Sequence, residues 1–333
     1  MSNESPLNPT LYSYAESPRP VSPTLAQRPR ARDRRWVHVL LFLLTFLTTT
    51  SAGTGHYAAF VSEFGRRAVS LDVSLLLNGL WYSGTILAIL GAHEMGHYLY
   101  CRRHGLAASL PYFLPLPNVL TFPFLTGTLG AVIRIREPFR TRTQLFDVGI
   151  AGPIGGLIVL IPALLYGFSL STIVPAPTDG EILRIGKPLL YRWGADLLIG
   201  PLPEGHWVNL HPMVFACWFG MFATALNLVP FGQFDGGHIA YAVFGDRAAR
   251  RISAFAVLVS ASLILLSWIW VVPTALMVFM WRTMGLRHPS PLYPYEPLSP
   301  GRRAFALLAL VAFVVCFTPV PMWPENLGEP TGR

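Results

Sequence analysis

Of 333 residues, 52% are hydrophobic and 13% charged, about half the charged share of an ordinary globular chain, and mean hydropathy is +0.46. This balance argues against a soluble globular protein and reads as a polytopic membrane protein. The net charge of +8 does not point to nucleic acid, because the arginines flank apolar runs, where positive charge fixes membrane orientation. Cys101, Cys217 and Cys316 have no pair spacing and suggest neither a disulfide framework nor a cysteine metal site.

In chain order, residues 1–35 are rich in Pro, Ser and Arg with almost no aliphatics, which predicts a disordered cytoplasmic tail. Apolar segments long enough to cross a bilayer, about 20 residues each, follow at 36–55, 74–101, 145–170, 208–230, 252–269, 270–286 and 304–321. The 252–286 pair is tight enough to read alternatively as one bent helix. If the spans alternate, the clusters at Arg28 to Arg35, Arg102–Arg103, Arg134 to Arg142, Arg247 to Arg251, Arg282–Arg287 and Arg302–Arg303 fall on one side. The N-terminus is then cytoplasmic, and residues 171–207 lie outside as a loop too short for an ordinary folded domain.

The second span ends in "GAHEMGHYLYCRR" (91–103). His93 and His97 are four apart and share a helix face, the spacing that lets two imidazoles bind one zinc. Glu94 beside them is placed for the attacking water rather than for the metal. Ionisable groups inside a span are costly, so the cluster implies function. A third ligand is needed. Asp235, in "NLVPFGQFDGGHIA" (227–240), comes to the same membrane side through the alternating topology, and Pro230, Gly232, Gly236 and Gly237 break the helix there. Asp147 is the rival, read as a partner of an arginine such as Arg142. His238 is a further candidate, read as a polar pocket residue.

Between the second and third spans, Thr128, Gly130 and the run Val132 to Arg136 read as β, an edge strand able to pair with an extended peptide or an ordinary interfacial hairpin. "PYFLPLPNVLTFPF" (111–124) reads as a re-entrant or interfacial loop, and 287–303 as a Pro- and Tyr-rich spacer. Gly149, Gly152, Gly155 and Gly156 read as close helix packing or a hinge. Asn227 is a candidate oxyanion donor, or an amide that serves backbone freed by Pro230.

The motifs "HEMGH" (93–97), "NLVPFGQFDGG" (227–237) and "AGPIGG" (151–156) resemble those of the site-2 protease family of intramembrane zinc metalloproteases. "PYFLPLP", "GTLGAVIRIREPFRTR" and "LFDVGIAGP" look like its EGY-type branch. The resemblance covers about residues 75–285 and offers no segment for the PDZ domain many members carry. It implies His93, His97 and Asp235 as zinc ligands and Glu94 as the catalytic glutamate.

The expected fold is therefore all-α and polytopic, about seven transmembrane helices with a short membrane-associated β segment and re-entrant loops around the zinc site. A membrane-embedded protease of 36–325 follows the tail. The expected reaction is hydrolysis of peptide bonds within or near transmembrane segments, with Zn2+ as cofactor, Glu94 as general base, and Asn227, Gly130, Val132 and Arg134 around the substrate. The expected partners are the lipid bilayer and membrane-anchored proteins, of which the family implies transcription regulators or anti-sigma factors. The expected location is a bacterial cytoplasmic membrane, because the N-terminus is not transit-like. The alternatives are a noncatalytic helix-binding scaffold and a zinc transporter. A transporter would spread its ionisable groups along a path, and here they gather at one depth.

Overall fold

The computed structural model describes residues 34–70, 72–117, 126–178, 180–286 and 288–327. The expected N-terminal tail lies outside these residues but for Arg34 and Arg35. The described chain is mostly helical.

Helix α1 (Arg35–Ser62) buries Thr45 and Thr49 without orphaning their hydroxyls. Each donates to a carbonyl four residues back, on Leu41 and Thr45, at 2.7 Å. A short α2 (Val73–Asn78) is capped by Asp72, whose carboxylate accepts from Leu75 N–H at 2.8 Å. It runs into α3 (Leu80–Arg103), which carries the histidine motif. Strands β1 (Tyr112–Pro115) and β2 (Thr128–Val132) form an antiparallel pair, with Tyr112 opposite Val132. Helix α4 (Arg142–Ser169) opens on its cap Thr141.

Helix α3 packs most closely on α4, and small residues set the approach. A side chain on Gly96 would strike the Ala151 backbone, and one on Gly155 the Ala92 carbonyl. In lipid this matters more than apolar burial, because acyl chains are as apolar as leucine and only close packing favours helix on helix. Beside them, α6 (Pro212–Leu228) completes a core of Ile89, Leu160, Leu164, Val214, Trp218 and Met221. Pro230 ends that segment, and a turn leads to α7 (Asp235–Phe244) and α8 (Asp246–Leu263).

By length and apolarity, three helical stretches among the described residues suffice to cross a membrane: Arg35–Ser62, Val73–Arg103 and Arg142–Ser169. The later segments expected to cross are shorter or more charged. Helices α6 and α10 (Pro300–Cys316) have 17 residues each, a rise of about 26 Å against a hydrocarbon core of about 30 Å. Helix α8 opens with Asp246, Arg247, Arg250 and Arg251. The 252–286 region is two helices, α8 and α9 (Val271–Met284), joined through a 3-10 turn at Trp268–Trp270 and by a Ser260–Thr274 hydrogen bond of 2.6 Å.

Three other readings change. The 171–207 segment folds into β3 (Thr172–Pro175), β4 (Gly180–Ile185), α5 (Leu189–Leu198) and the start of β5 (His206–Asn209). It borrows strength from the C-terminus: β4 pairs antiparallel with β6 (Met322–Leu327), while β3 pairs with β5. The fold is thus not purely helical, and the mid-chain strand β4 takes its partner from near the C-terminus. The 111–124 stretch begins as strand β1, and its expected re-entrant part, 118–124, lies outside the described residues. The supposed spacer is docked: Leu292 and Tyr293 N–H donate to the Phe139 and Arg140 carbonyls at 3.1 and 2.7 Å, and Leu298 is buried.

Candidate metal centre

Three polar groups converge where α3, α4 and α7 meet. His93 and His97 project from one face of α3, and Asp235 opens α7. The ligating atoms of the three lie within 4.8 Å of one another, the only such group of three among the described residues. His93 Nε2 is 3.1 Å from Asp235 Oδ2, His97 Nε2 is 3.3 Å from Oδ1, and the two Nε2 atoms are 3.1 Å apart. Ligands held about 2.0–2.1 Å from one tetrahedral zinc stand roughly 3.3–3.4 Å apart, so this triangle has the right size. Two imidazoles and a carboxylate are a donor set that suits zinc.

The imidazoles are oriented from behind. His97 Nδ1 lies 2.8 Å from the Val148 carbonyl, so that ring nitrogen carries the proton and Nε2 is left as a lone-pair donor. Gly152 makes space for the ring: a Cβ there would overlap the His97 imidazole. The glycines of "AGPIGG" thus do two things: Gly155 lets the helices approach, and Gly152 seats the His97 ring.

Glu94 is 6% exposed and lies next to the first histidine, with the Ile133 backbone amide close to its carboxylate. Arg134 and Arg136 turn their backbone groups toward 107–109: Ser109 N–H donates to the Arg134 carbonyl at 3.0 Å and Arg136 N–H to the Ala107 carbonyl at 2.9 Å. Strand alternation turns Ile133 to the opposite edge, which faces Glu94. On the same extended segment Val132 and Arg134 are exposed, and Gly130 sits at φ 110°, a conformation that favours glycine.

Asn227 Nδ2 lies 3.3 Å from His93 Nε2, at the metal triangle. The carbonyl at Pro230 is served instead by Ser253 Oγ at 3.2 Å. The other candidates lie elsewhere. Asp147 pairs with Arg302, Oδ1 to Nε at 2.7 Å and Oδ2 to Nη2 at 2.9 Å, and with His104 at 3.0 Å. Arg142, its expected partner, instead donates to the Ala242 carbonyl at 2.9 Å, at the end of α7. His238 turns to His288, whose imidazole burial holds below its ordinary pKa. The Val148 carbonyl, the Ile133 N–H and Arg302 were not legible as site residues: two are backbone groups, and the third lies 155 positions from its partner.

A model of peptidase family M50 matches residues 81–268. A rice protein (Oryza sativa subsp. indica) named "Probable zinc metalloprotease EGY2, chloroplastic" is 34% identical over 192 residues, 56% of this chain and 33% of its own. Arabidopsis thaliana proteins named probable zinc metalloproteases EGY2 and EGY1, chloroplastic, are 30% and 28% identical, over 55% and 74% of this chain and 32% and 43% of theirs. This chain therefore spans a third to less than half of the length of these relatives. Their names carry zinc, which makes Zn2+ the expected cofactor. No solved structure matches.

Proposed function

The chain belongs to peptidase family M50, and from that premise we propose that it is an intramembrane zinc metalloprotease that hydrolyses peptide bonds within or near transmembrane segments of membrane-anchored proteins. One observation carries the reading: two imidazoles and a carboxylate converge in a buried site with Glu94 beside them.

Zinc held by His93, His97 and Asp235 supplies a Lewis acid and lowers the pKa of water from about 15.7 to about 7. Glu94 takes the proton of the attacking water as its oxygen joins the scissile carbonyl carbon. It then delivers that proton to the amide nitrogen as the C–N bond breaks, leaving a carboxylic acid and an amine, which at neutral pH part as carboxylate and ammonium. The Asn227 amide donates to the carbonyl oxygen as charge builds there. A substrate helix hides its carbonyls in internal hydrogen bonds, so the segment must be unwound. The extended segment that runs from β2 past Ile133 holds it extended beside Glu94, with Gly130, Val132 and Arg134 flanking the path.

Seven crossings, with the shorter helices met by local bilayer thinning, belong to the same reading. So do a cytoplasmic N-terminus, in a bacterial cytoplasmic membrane, and substrates such as membrane-anchored transcription regulators or anti-sigma factors. The one-sided arginine clusters support the orientation. Thr178→Cys in a cysteine-free background tests it: labelling by an impermeant reagent from outside is expected, and labelling only from the cytoplasmic side overturns it.

Glu94→Gln tests the chemistry, because it keeps the shape of the side chain and removes its basicity. Zinc content stays near one per chain, and cleavage of a transmembrane reporter in liposomes falls by about 10²–10⁴. Wild-type rates, with contaminating proteases excluded, contradict the proposal and favour a transporter or scaffold.

A further inference from the structure

The matched family region ends at residue 268, yet the chain beyond it returns to the metal centre. Residues 288–302 touch α7 and both the approach to and the first turns of α4, and reach the end of α3 through Asp147. His288 meets His238 on α7, and Ser290 Oγ accepts from the Tyr241 hydroxyl at 3.2 Å. Leu292 and Tyr293 bond to the Phe139 and Arg140 carbonyls ahead of α4. Arg302, in the first turn of α10, forks onto Asp147 of α4, which also holds His104 at the C-terminal end of α3.

Asp147 immediately precedes Val148, whose carbonyl orients His97. Just past Val148 the α4 backbone is weak in its own right. Gly149, Gly152, Gly155 and Gly156 lack helix propensity, and Pro153 removes one donor from the ladder. A helix so loosened does not by itself fix where the Val148 carbonyl points. A planar guanidinium gripping Asp147 through two hydrogen bonds does, since the fork sets orientation as well as distance. The Asp147 side chain is 12% exposed and that of Arg302 37%, so the pair is partly shielded from water.

We infer that Asp147 and Arg302 form a positioning latch for the zinc ligand His97, so that the C-terminal segment, outside the matched family region, governs how tightly the metal is held. The latch touches neither the metal nor the substrate path and acts only through the Val148 carbonyl. It rests on the zinc reading above.

The test uses the full chain, purified in detergent and loaded with zinc, and follows zinc release into a chelator well below the unfolding temperature. Arg302→Gln is expected to speed release about tenfold, the lower end of what losing the orienting partner of a ligand histidine costs. Arg302→Lys, which keeps the charge and loses the fork, recovers part of it. Asp147→Asn combined with Arg302→Gln releases no faster than Asp147→Asn alone, because both remove one contact. Arg303→Gln, which removes the same charge one residue on, releases at the wild-type rate. Unchanged release in Arg302→Gln, with or without a lower unfolding temperature, overturns the latch, as does an equal effect of Arg303→Gln. A wild-type chain that binds no zinc sinks the metal reading instead.

Discussion

Two largely shielded aspartates show how partners, rather than burial, decide what a carboxylate does. The side chains of Asp147 and Asp235 are each 12% exposed, and each meets imidazole nitrogen at 3.0–3.3 Å. Asp235 faces two imidazoles whose lone-pair nitrogens point at one another, an arrangement that a cation resolves. Asp147 faces one imidazole and a guanidinium, and the guanidinium already supplies the positive charge. A paired buried carboxylate has no reason to recruit a metal, whereas one among neutral imidazoles does.

The largest break in that comparison is Asp235→Ala. It removes one of three ligands, so zinc is lost on dialysis and reporter cleavage falls to background. Metal analysis that still finds about one zinc per chain contradicts the assignment. Gly152→Ala comes next: the added methyl lands on the His97 ring, and we expect zinc affinity to fall about 10–100-fold with the secondary structure kept. Unaltered affinity in competition with a chelator shows that the ring has another place to go. Asp147→Ala is smaller. Zinc content stays near one per chain while release quickens, and loss of the metal outright makes Asp147 a ligand. Gly84→Ala, on the same helix as the histidines but facing open space, is expected only to raise stability, by about 0.5–1 kcal/mol in a denaturation midpoint.

The convergence of His93, His97 and Asp235 was legible in the sequence because spacing is a geometric statement. His93 and His97, four apart on a helix, share a face in any fold. Asp235 needed one more step, the alternation of spans, and it arrives at the same end of the bundle. The segment from Thr128 to Arg136 read as strand because of its partial alternation; β2 forms over Thr128–Val132, and beyond it only an isolated bridge at Ile135 remains. What stayed hidden depended on distant pairing. Nothing in "RHPSPLYPYEPLSPGRR" shows that its backbone bonds to Phe139 and Arg140, or that Arg302 seeks Asp147. Arg142 was the nearer cation in sequence, but the first turn of α4 directs it to the end of α7. The outer sheets were hidden for the same reason, since β4 finds its partner about 140 residues later. Periodicity also marks apolar helices without measuring whether each is long enough to cross.

Zinc X-ray absorption on the purified chain tests the central claim most directly, because it reports the ligands rather than a consequence of them. The expected spectrum has only nitrogen and oxygen neighbours at about 2.0–2.1 Å, with outer-shell scattering from two imidazoles, and it is lost with the metal in Asp235→Ala but unchanged in Asp147→Ala. Sulfur at about 2.3 Å, a third imidazole, or a spectrum indifferent to Asp235 contradicts a centre built from His93, His97 and Asp235.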